Sequence, residues 1–169
     1  MKLMEDVFLT DSIEIRTTPE KVFEFFRSLV DDASYRAWHP DDHVTMRWTK
    51  GSPCQEGSVV YAEERMHGKL HKLTFVTTKV VPNRQIEFSP VSWFLRRYFP
   101  KNTFSIEPKG DSCVFTATIH IRLPLLPRLL AKKSVERGLS SVRKHIKEEG
   151  ENLKKILEAA EHSSDNNNQ

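Results

Sequence analysis

The stretch "SVRKHIKEEGENLKKIL", residues 141–157, reads as one amphipathic helix with a flaw in its apolar seam. The seam runs Val135, Leu139, Val142, Ile146, then Leu153 and Ile156. Steps of four and three alternate until a gap, which position 149 fills. That position holds Glu149, and His145 precedes it by one turn on the same side. Gly138, Ser141 and Val142 continue that side toward the N-terminus, and their small side chains are expected to leave room for a ligand. A long helix is therefore predicted from about residue 130 to 160, carrying a carboxylate and an imidazole on its buried face.

Ahead of this helix the period is mostly two. "VFLTDSIEIR" reads as a first strand. "TTPEKVFEFFRSL" reads as a short helix, with Thr18 as cap, Pro19 in the first position, and Val22, Phe23, Phe25, Phe26 and Leu29 on the buried face. A second short helix over "DDASYRAW" must end before Pro40. Six strand candidates follow: "HVTMRWT", "SVVYAEERM", "KLHKLTFVTTKVV", "RQIEFS", "NTFSIEP" and "CVFTATIHIRL". Links of hairpin length imply an antiparallel meander. The expected fold class is α+β: a seven-stranded antiparallel sheet wrapped around a long C-terminal helix, with two short helices after the first strand. A cavity is expected between sheet and helix. One domain over residues 1–160 and a disordered tail over 161–169, "EHSSDNNNQ", complete the layout.

Composition narrows the function classes. The chain has 169 residues, 38% hydrophobic and 29% charged, as a soluble globular domain does. A net charge of +3 with no basic block interleaved with aromatics argues against nucleic acid. Cys54 and Cys113 form no CxxC pair and are expected to be free thiols. The N-terminus has no apolar run of signal-peptide type, and no run reaches transmembrane length, so the expected location is the cytoplasm without stable membrane insertion.

A buried carboxylate is expensive unless it is paired or metal-bound. Glu149 therefore has two readings: an i,i+4 contact with His145 or a salt bridge to the sheet, or a metal site. An HxxxE pair can share one cation at roughly 2 Å from each ligand. Among the strands, "SVVYAEERMHG" places Val60, Ala62, Glu64 and Met66 on one face, apolar except for Glu64, and Glu63 on the other. "YRAWHPDDHV" supplies His39 and His43, beside Tyr35 and Trp38. His43 opens a strand and could point into the cavity; His39 sits in a rigid turn before Pro40. Two His and two Glu suit Zn²⁺ or a similar divalent ion. An ion so held acidifies a water into a hydroxide nucleophile near neutral pH and polarises a carbonyl. His67 and His71 flank a turn and are expected to be exposed, as is His120 on the outer sheet face.

The layout resembles the START/Bet v 1-like superfamily, also called SRPBCC or polyketide cyclase-like. "IEIRTTPEKVFEFF" looks like its opening strand and helix, and the "PCQEGSVVYAEE" strand and the C-terminal helix are similar. That resemblance implies a helix-grip fold around a hydrophobic cavity. A narrower set, "YRAWHPDDH", an inward Glu on the next strand, and HxxxE on the last helix, resembles the diacetylphloroglucinol hydrolase and phloretin hydrolase family. The resemblance implies a divalent metal, usually zinc, on His43, Glu64, His145 and Glu149, with His39 as the alternate to His43. It also implies hydrolysis of a carbon–carbon bond between a phenolic ring and an acyl group, with His39 or Tyr35 as the nearest candidate acids. Trp38, Met66, Gly138, Ser141 and Val142 would line the ligand pocket.

The competing expectation is a binding or transport protein for a lipid, polyketide or aromatic molecule, without chemistry. "VSWFLRRYFP" and "LPLLPRLLAKK" set apolar residues beside basic ones, as a cavity mouth near a membrane or apolar ligand would. The plainer expectation is that Trp93, Phe94, Leu125 and Leu126 pack the helix–sheet junction.

Overall fold

The computed structural model describes residues 4–125 and 130–166. Strand β1 (Met4–Ile15) leads into helices α1 (Pro19–Arg27) and α2 (Asp32–Trp38). The meander follows as β2 (His43–Lys50), β3 (Val59–Met66), β4 (Lys69–Val81) and β5 (Gln85–Pro90). A short helix, α3 (Trp93–Tyr98), precedes β6 (Lys101–Lys109), β7 (Ser112–Pro124) and the long helix α4 (Lys132–Asn166). The sheet is antiparallel in the order β1-β7-β6-β5-β4-β3-β2 and curls around α4 as a helix-grip. All seven strands and the two short helices stand where alternation and capping residues place them.

Local chemistry explains the boundaries. The Thr18 hydroxyl accepts from the Lys21 amide, and Pro19 occupies the first turn of α1. Asp31 and Ser34 form a reciprocal capping box that starts α2. Helix α2 stops at Trp38, two residues before Pro40. His67 and Gly68 both adopt positive φ, 54° and 70°, in the two-residue turn joining β3 to β4. That turn sets the register that pairs Glu64 with His71, while β2 pairs Glu64 with His43. The ladder of β2 and β3 slips between His43 and Thr45, so the irregularity lies on β2, beside the site.

The core joins Val22, Phe23, Phe26 and Leu29 to Leu9, Ile15, Ile86, Ile106 and Phe115 of the sheet and to Ile146, Leu153 and Leu157 of α4. At the end of the seam the four-residue step from Leu153 to Leu157 faces the core, and Ile156 is only half-buried. Gly150 faces β1 closely: a Cβ at this position would stand 3.4 Å from Ile13.

Three expectations differ from the structure. Helix α4 extends to Asn166, past residue 160, and Glu161 is tied to the Thr17 hydroxyl and the Lys21 ammonium, each at 2.7 Å. Residues 167–169 of the expected tail lie outside the described residues. "WFLRRY" is a helix that apolar patterning did not reveal, being too short for a periodic signal. Trp93 and Phe94 on it do not pack a junction, since they are 76% and 55% exposed. Leu125 is also exposed, and Leu126 lies outside the described residues. No described helix is long and apolar enough to cross a membrane. Both cysteines are free.

Candidate functional site

Between the sheet and α4 lies a cavity of about 400 Å³. Its wall is mainly apolar: Phe26, Trp48, Val60, Phe75, Phe88 and Phe104 are among the side chains that form it. One end is polar, built from Tyr35, Glu64, His145 and Glu149. The expected pocket residues Trp38, Met66 and Val142 line the cavity. Gly138 and Ser141 do not; both are half-buried, and a Cβ on Gly138 would meet open space. They lie a turn or more before His145, beside Leu139 and Val142, which do pack against the core. His67 and His71 both border the cavity, with His67 exposed and His71 half-buried. His120 is on the outer face, paired with Asp6 and stacked on Phe8.

Four elements deliver the polar end. Helix α4 carries His145 and Glu149 on its core face, both buried, as the four-residue spacing requires. Strand β3 turns Glu64 inward beside Val60 and Ala62, while Glu63 accepts from the Tyr61 hydroxyl at 2.6 Å on the other face. Strand β2 opens on His43, which is 1% exposed. Helix α2 contributes Tyr35, whose ring stacks on His43 with centroids 3.8 Å apart. The Tyr35 hydroxyl donates to Glu64. The Trp38 indole N–H donates to the Glu149 carbonyl at 3.0 Å, fastening α2 to α4.

The hydrogen bonds of the two imidazoles define which way each faces. His43 Nδ1 lies 3.0 Å from the Tyr35 carbonyl oxygen, which can only accept, so Nδ1 carries hydrogen. Its Nε2 lies 3.0 Å from Glu149 Oε1. His145 Nδ1 lies 2.9 Å from Asp42 Oδ2 and donates to it in the same way. Its Nε2 lies 3.4 Å from Glu149 Oε1 and 3.7 Å from Glu64 Oε2. Two inner nitrogens therefore face two carboxylates, and each outer nitrogen is already spent on an acceptor. Such an arrangement of lone pairs needs protons or a cation at its centre.

Protons are one solution. Burial opposes a charge on His145, but the Glu149 and Glu64 carboxylates and Asp42 outweigh it and push its pKa up to about 10. Burial likewise works to raise Glu149, yet His145 and His43 win and hold it well below the usual carboxylate range. Tyr35 is pushed well above the ordinary phenol value by burial and by Glu64 and Glu149, so it keeps its proton.

A divalent cation is the other solution, and the donor set fits one. The ligand atoms of His43, Glu64 and His145 all lie within 4.8 Å of one another, and Glu149 Oε1 stands beside the two imidazoles, 3.0 Å from His43 Nε2 and 3.4 Å from His145 Nε2. The 3.0, 3.4 and 3.7 Å contacts bracket the edge of about 3.3 Å expected when tetrahedral ligands stand roughly 2 Å from zinc. The outer bonds to a carbonyl and a carboxylate are the kind that orient metal-binding histidines.

His39 stands apart from this set. It is buried behind His145, with Nε2 3.2 Å from Glu148 Oε2 and 3.7 Å from Asp42 Oδ2, and its Nδ1 accepts from the Asp42 amide at 3.3 Å. It does not line the cavity, so it is badly placed to act as an acid on a molecule held there. His39, Asp42 and His145 do form a second cluster that could hold a metal. Nothing in the sequence singles out Asp42; only the fold brings it to His145. Cys54 and Cys113 are no nucleophiles, since burial pushes the thiols up to about 12 and about 11.

Comparison with known proteins agrees with this architecture. No curated protein matches the chain. Among solved structures, a protein of Thermus thermophilus superposes with TM-score 0.67 at 12% identity, covering 91% of this chain and 99% of that one. A polyketide-cyclase-like protein of Corynebacterium glutamicum gives 0.58 at 18% identity, with coverage of 92% and 94%. A major latex-like protein of Panax ginseng gives 0.57 at 14% identity, with coverage of 85% and 97%. At such identities these likenesses speak for the fold alone. A family model described as "Polyketide cyclase / dehydrase and lipid transport" matches residues 7–158, nearly the whole described fold, and the chain belongs to that family.

Proposed function

We propose that the protein binds an apolar, ring-bearing small molecule in the central cavity and directs a polar atom of it at the Tyr35–Glu64–His145–Glu149 end. The observation that carries this reading is the chemistry of the cavity: mainly aromatic and aliphatic walls, with a compact cluster of buried polar groups in Tyr35, Glu64, His145 and Glu149. Apolar burial supplies affinity, and the buried polar end selects orientation, because a ligand that left those groups unpaired would lose what they gain from solvent. The test is titration with the neutral fluorophore N-phenyl-1-naphthylamine against wild type and Ala62→Phe. Ala62 lies on the cavity wall, buried, so a phenyl group there occupies ligand space. Saturable fluorescence in wild type that the variant abolishes supports the reading; equal signals from both overturn it.

A second reading is favoured by a separate observation, the convergence of two imidazoles and two carboxylates with their outer atoms already bonded. On this reading the protein is a metal-dependent hydrolase that acts on a ketone or acyl carbonyl, and an acylphenol is the substrate class. His43, Glu64, His145 and Glu149 would hold the cation, with Tyr35 and Asp42 fixing the rings and the Glu64 carboxylate. A bound divalent ion supplies Lewis-acid polarisation of a carbonyl and lowers the pKa of water. Tyr35 retains its proton at the cavity end and is the group placed to deliver one to a leaving carbon; His39 is not. Elemental analysis of protein purified without a histidine tag, with zinc calorimetry, tests the site directly. About one equivalent of zinc, lost in Glu149→Leu, is the expected result; no zinc uptake by wild type refutes it. Turnover of a 2-acylphenol by the zinc-loaded protein then separates catalysis from binding.

A further inference from the structure

Helix α3 has two faces of different purpose. Leu95 of α3 and Phe99 just after it reach into the cavity wall beside Pro90 and Asn102. The other face holds Trp93 and Phe94, 76% and 55% exposed, with Val91 just before them at 46%. Trp93 meets Phe94 edge-on, with centroids 6.1 Å apart, and Phe94 meets Tyr98 at 5.3 Å, so the rings form one outward cluster. The helix is anchored from below. Ser92 caps it, and Arg96 Nε donates to the Pro90 carbonyl at 3.0 Å. It packs against β5 and β7. Strand β6 begins immediately after it at Lys101, opposite His120, so α3 sits at the end of the sheet where β7 finishes. There, Leu125 is 37% exposed; Leu130, further along the chain, is 80% exposed.

An aromatic cluster of this size on a water-soluble surface marks a contact site. Charge decides the occupant. Residues 90–101 contain Arg96, Arg97 and Lys101 and no acidic residue; Lys101 meets Glu87 of β5 at 3.4 Å and Arg96 donates to the Pro90 and Val91 carbonyls, so the exposed Arg97 is the cation that faces outward. Lys132 and Lys133 follow Leu130, and the first carboxylate after it, Glu136, stands 3.9 Å from Lys132 and leaves Lys133 exposed beside it. A second copy docked by twofold symmetry would set this basic segment against itself. An anionic bilayer instead offers headgroups to the basic side chains and an interface that Trp and Phe favour.

We propose that the α3 face docks on the surface of an anionic lipid bilayer, with Trp93 and Phe94 at headgroup depth and Arg97 against the phosphates. Docking there sets the cavity end closed by Leu95 and Phe99 toward the membrane. The docking does not rest on the metal or on the identity of the cavity ligand.

The experiment is co-sedimentation with vesicles of phosphatidylcholine alone and of phosphatidylcholine mixed with phosphatidylglycerol, at low and high salt. Wild type should bind the mixed vesicles, with less binding at high salt. Trp93→Ala with Phe94→Ala should abolish binding, and Arg97→Glu should weaken it by about fivefold or more. Trp38 is buried and Trp48 half-buried, so a blue shift of emission on binding should come from Trp93 and vanish in Trp93→Phe. Melting curves and N-phenyl-1-naphthylamine binding by each variant show whether fold and cavity are intact, which separates failure of docking from failure of the ligand reading. Equal binding to neutral and anionic vesicles overturns the proposal, as does unchanged binding by the double variant. It also fails if the face proves to be a self-association surface: a concentration-dependent dimer on gel filtration, lost in the double variant, with no vesicle binding.

Discussion

Replacing Glu149 by Leu tests the site most directly, because two opposing effects of known size meet at one position. On the pattern of the seam alone, Leu at 149 completes an apolar stripe and adds roughly 1.5–3 kcal/mol of burial. The structure supplies the opposing effect. Glu149 lies 3.0 Å from His43 Nε2 and 3.4 Å from His145 Nε2, and it helps hold His145 charged. Removing one member of a buried ion pair costs about 3–5 kcal/mol. Asp42 at 2.9 Å and Glu64 at 3.7 Å stay beside His145, which puts the cost at the lower end. In chelator near neutral pH the variant should therefore be less stable by about 1–2 kcal/mol, a fall in Tm of roughly 2–8 °C for a chain of this length. Zinc at about a hundred times its Kd would stabilise wild type by a further ~2.7 kcal/mol, and the variant, short of one charged ligand, by far less. The gap between the two melting curves should widen from about 1–2 to about 4 kcal/mol on adding zinc. The assay is thermal denaturation followed by circular dichroism, for each protein in EDTA and in zinc. Equal zinc-induced shifts in the two proteins would show that Glu149 holds no metal. A variant more stable than wild type in EDTA would show that the His43–Glu149–His145 contacts contribute less than burial of a Leu.

Three further outcomes follow from the same geometry. Asp42→Ala should lower zinc affinity about 10–100-fold by freeing His145 Nδ1; calorimetry giving the wild-type Kd would leave Asp42 without a positioning role. Ala62→Phe should exclude an apolar dye from the cavity yet keep zinc uptake, at a stability cost of about 1–3 kcal/mol; simultaneous loss of dye and zinc binding with an intact melting curve would contradict the separation of wall and polar end. In EDTA, stability should decline at both ends of the pH range. His145, raised from 6.5 to about 10 in the fold, stabilises fully below pH 6.5 and loses that contribution as pH rises through about 10. Glu149, depressed in the fold, contributes above its ordinary 4.5 and loses this as pH falls below it toward the folded value. Urea midpoints measured from acid to alkaline pH should show both limbs, and His145→Gln should flatten the alkaline one.

What the sequence determined is what depends on near neighbours along the chain. Alternation placed the seven strands, because side chains two apart share a face of a strand. Thr18, Pro19 and the Asp31–Ser34 box set helix starts, because capping bonds span only three residues. The HxxxE pair and the inward Glu64 were legible as polar interruptions of apolar faces, since a buried carboxylate in such a face is costly without a partner. What only the tertiary structure decided depends on contacts across the chain. His43 rather than His39 faces Glu149 because β2 begins at His43 and pairs it with Glu64, whereas the turn at Pro40 leaves His39 behind His145. Asp42 reaches His145 across 103 positions, and the Tyr35 carbonyl that orients His43 is a backbone atom with no signature in residue type. Gly138 and Ser141 matched the helical face but do not reach the cavity that their neighbour Val142 lines, and Leu157 takes the core position that the seam assigned to Ile156. Helix α3 was invisible because six residues give no periodicity, and its exposed Trp93 looked like core by residue type; whether an aromatic side chain is covered depends on what the rest of the chain brings against it.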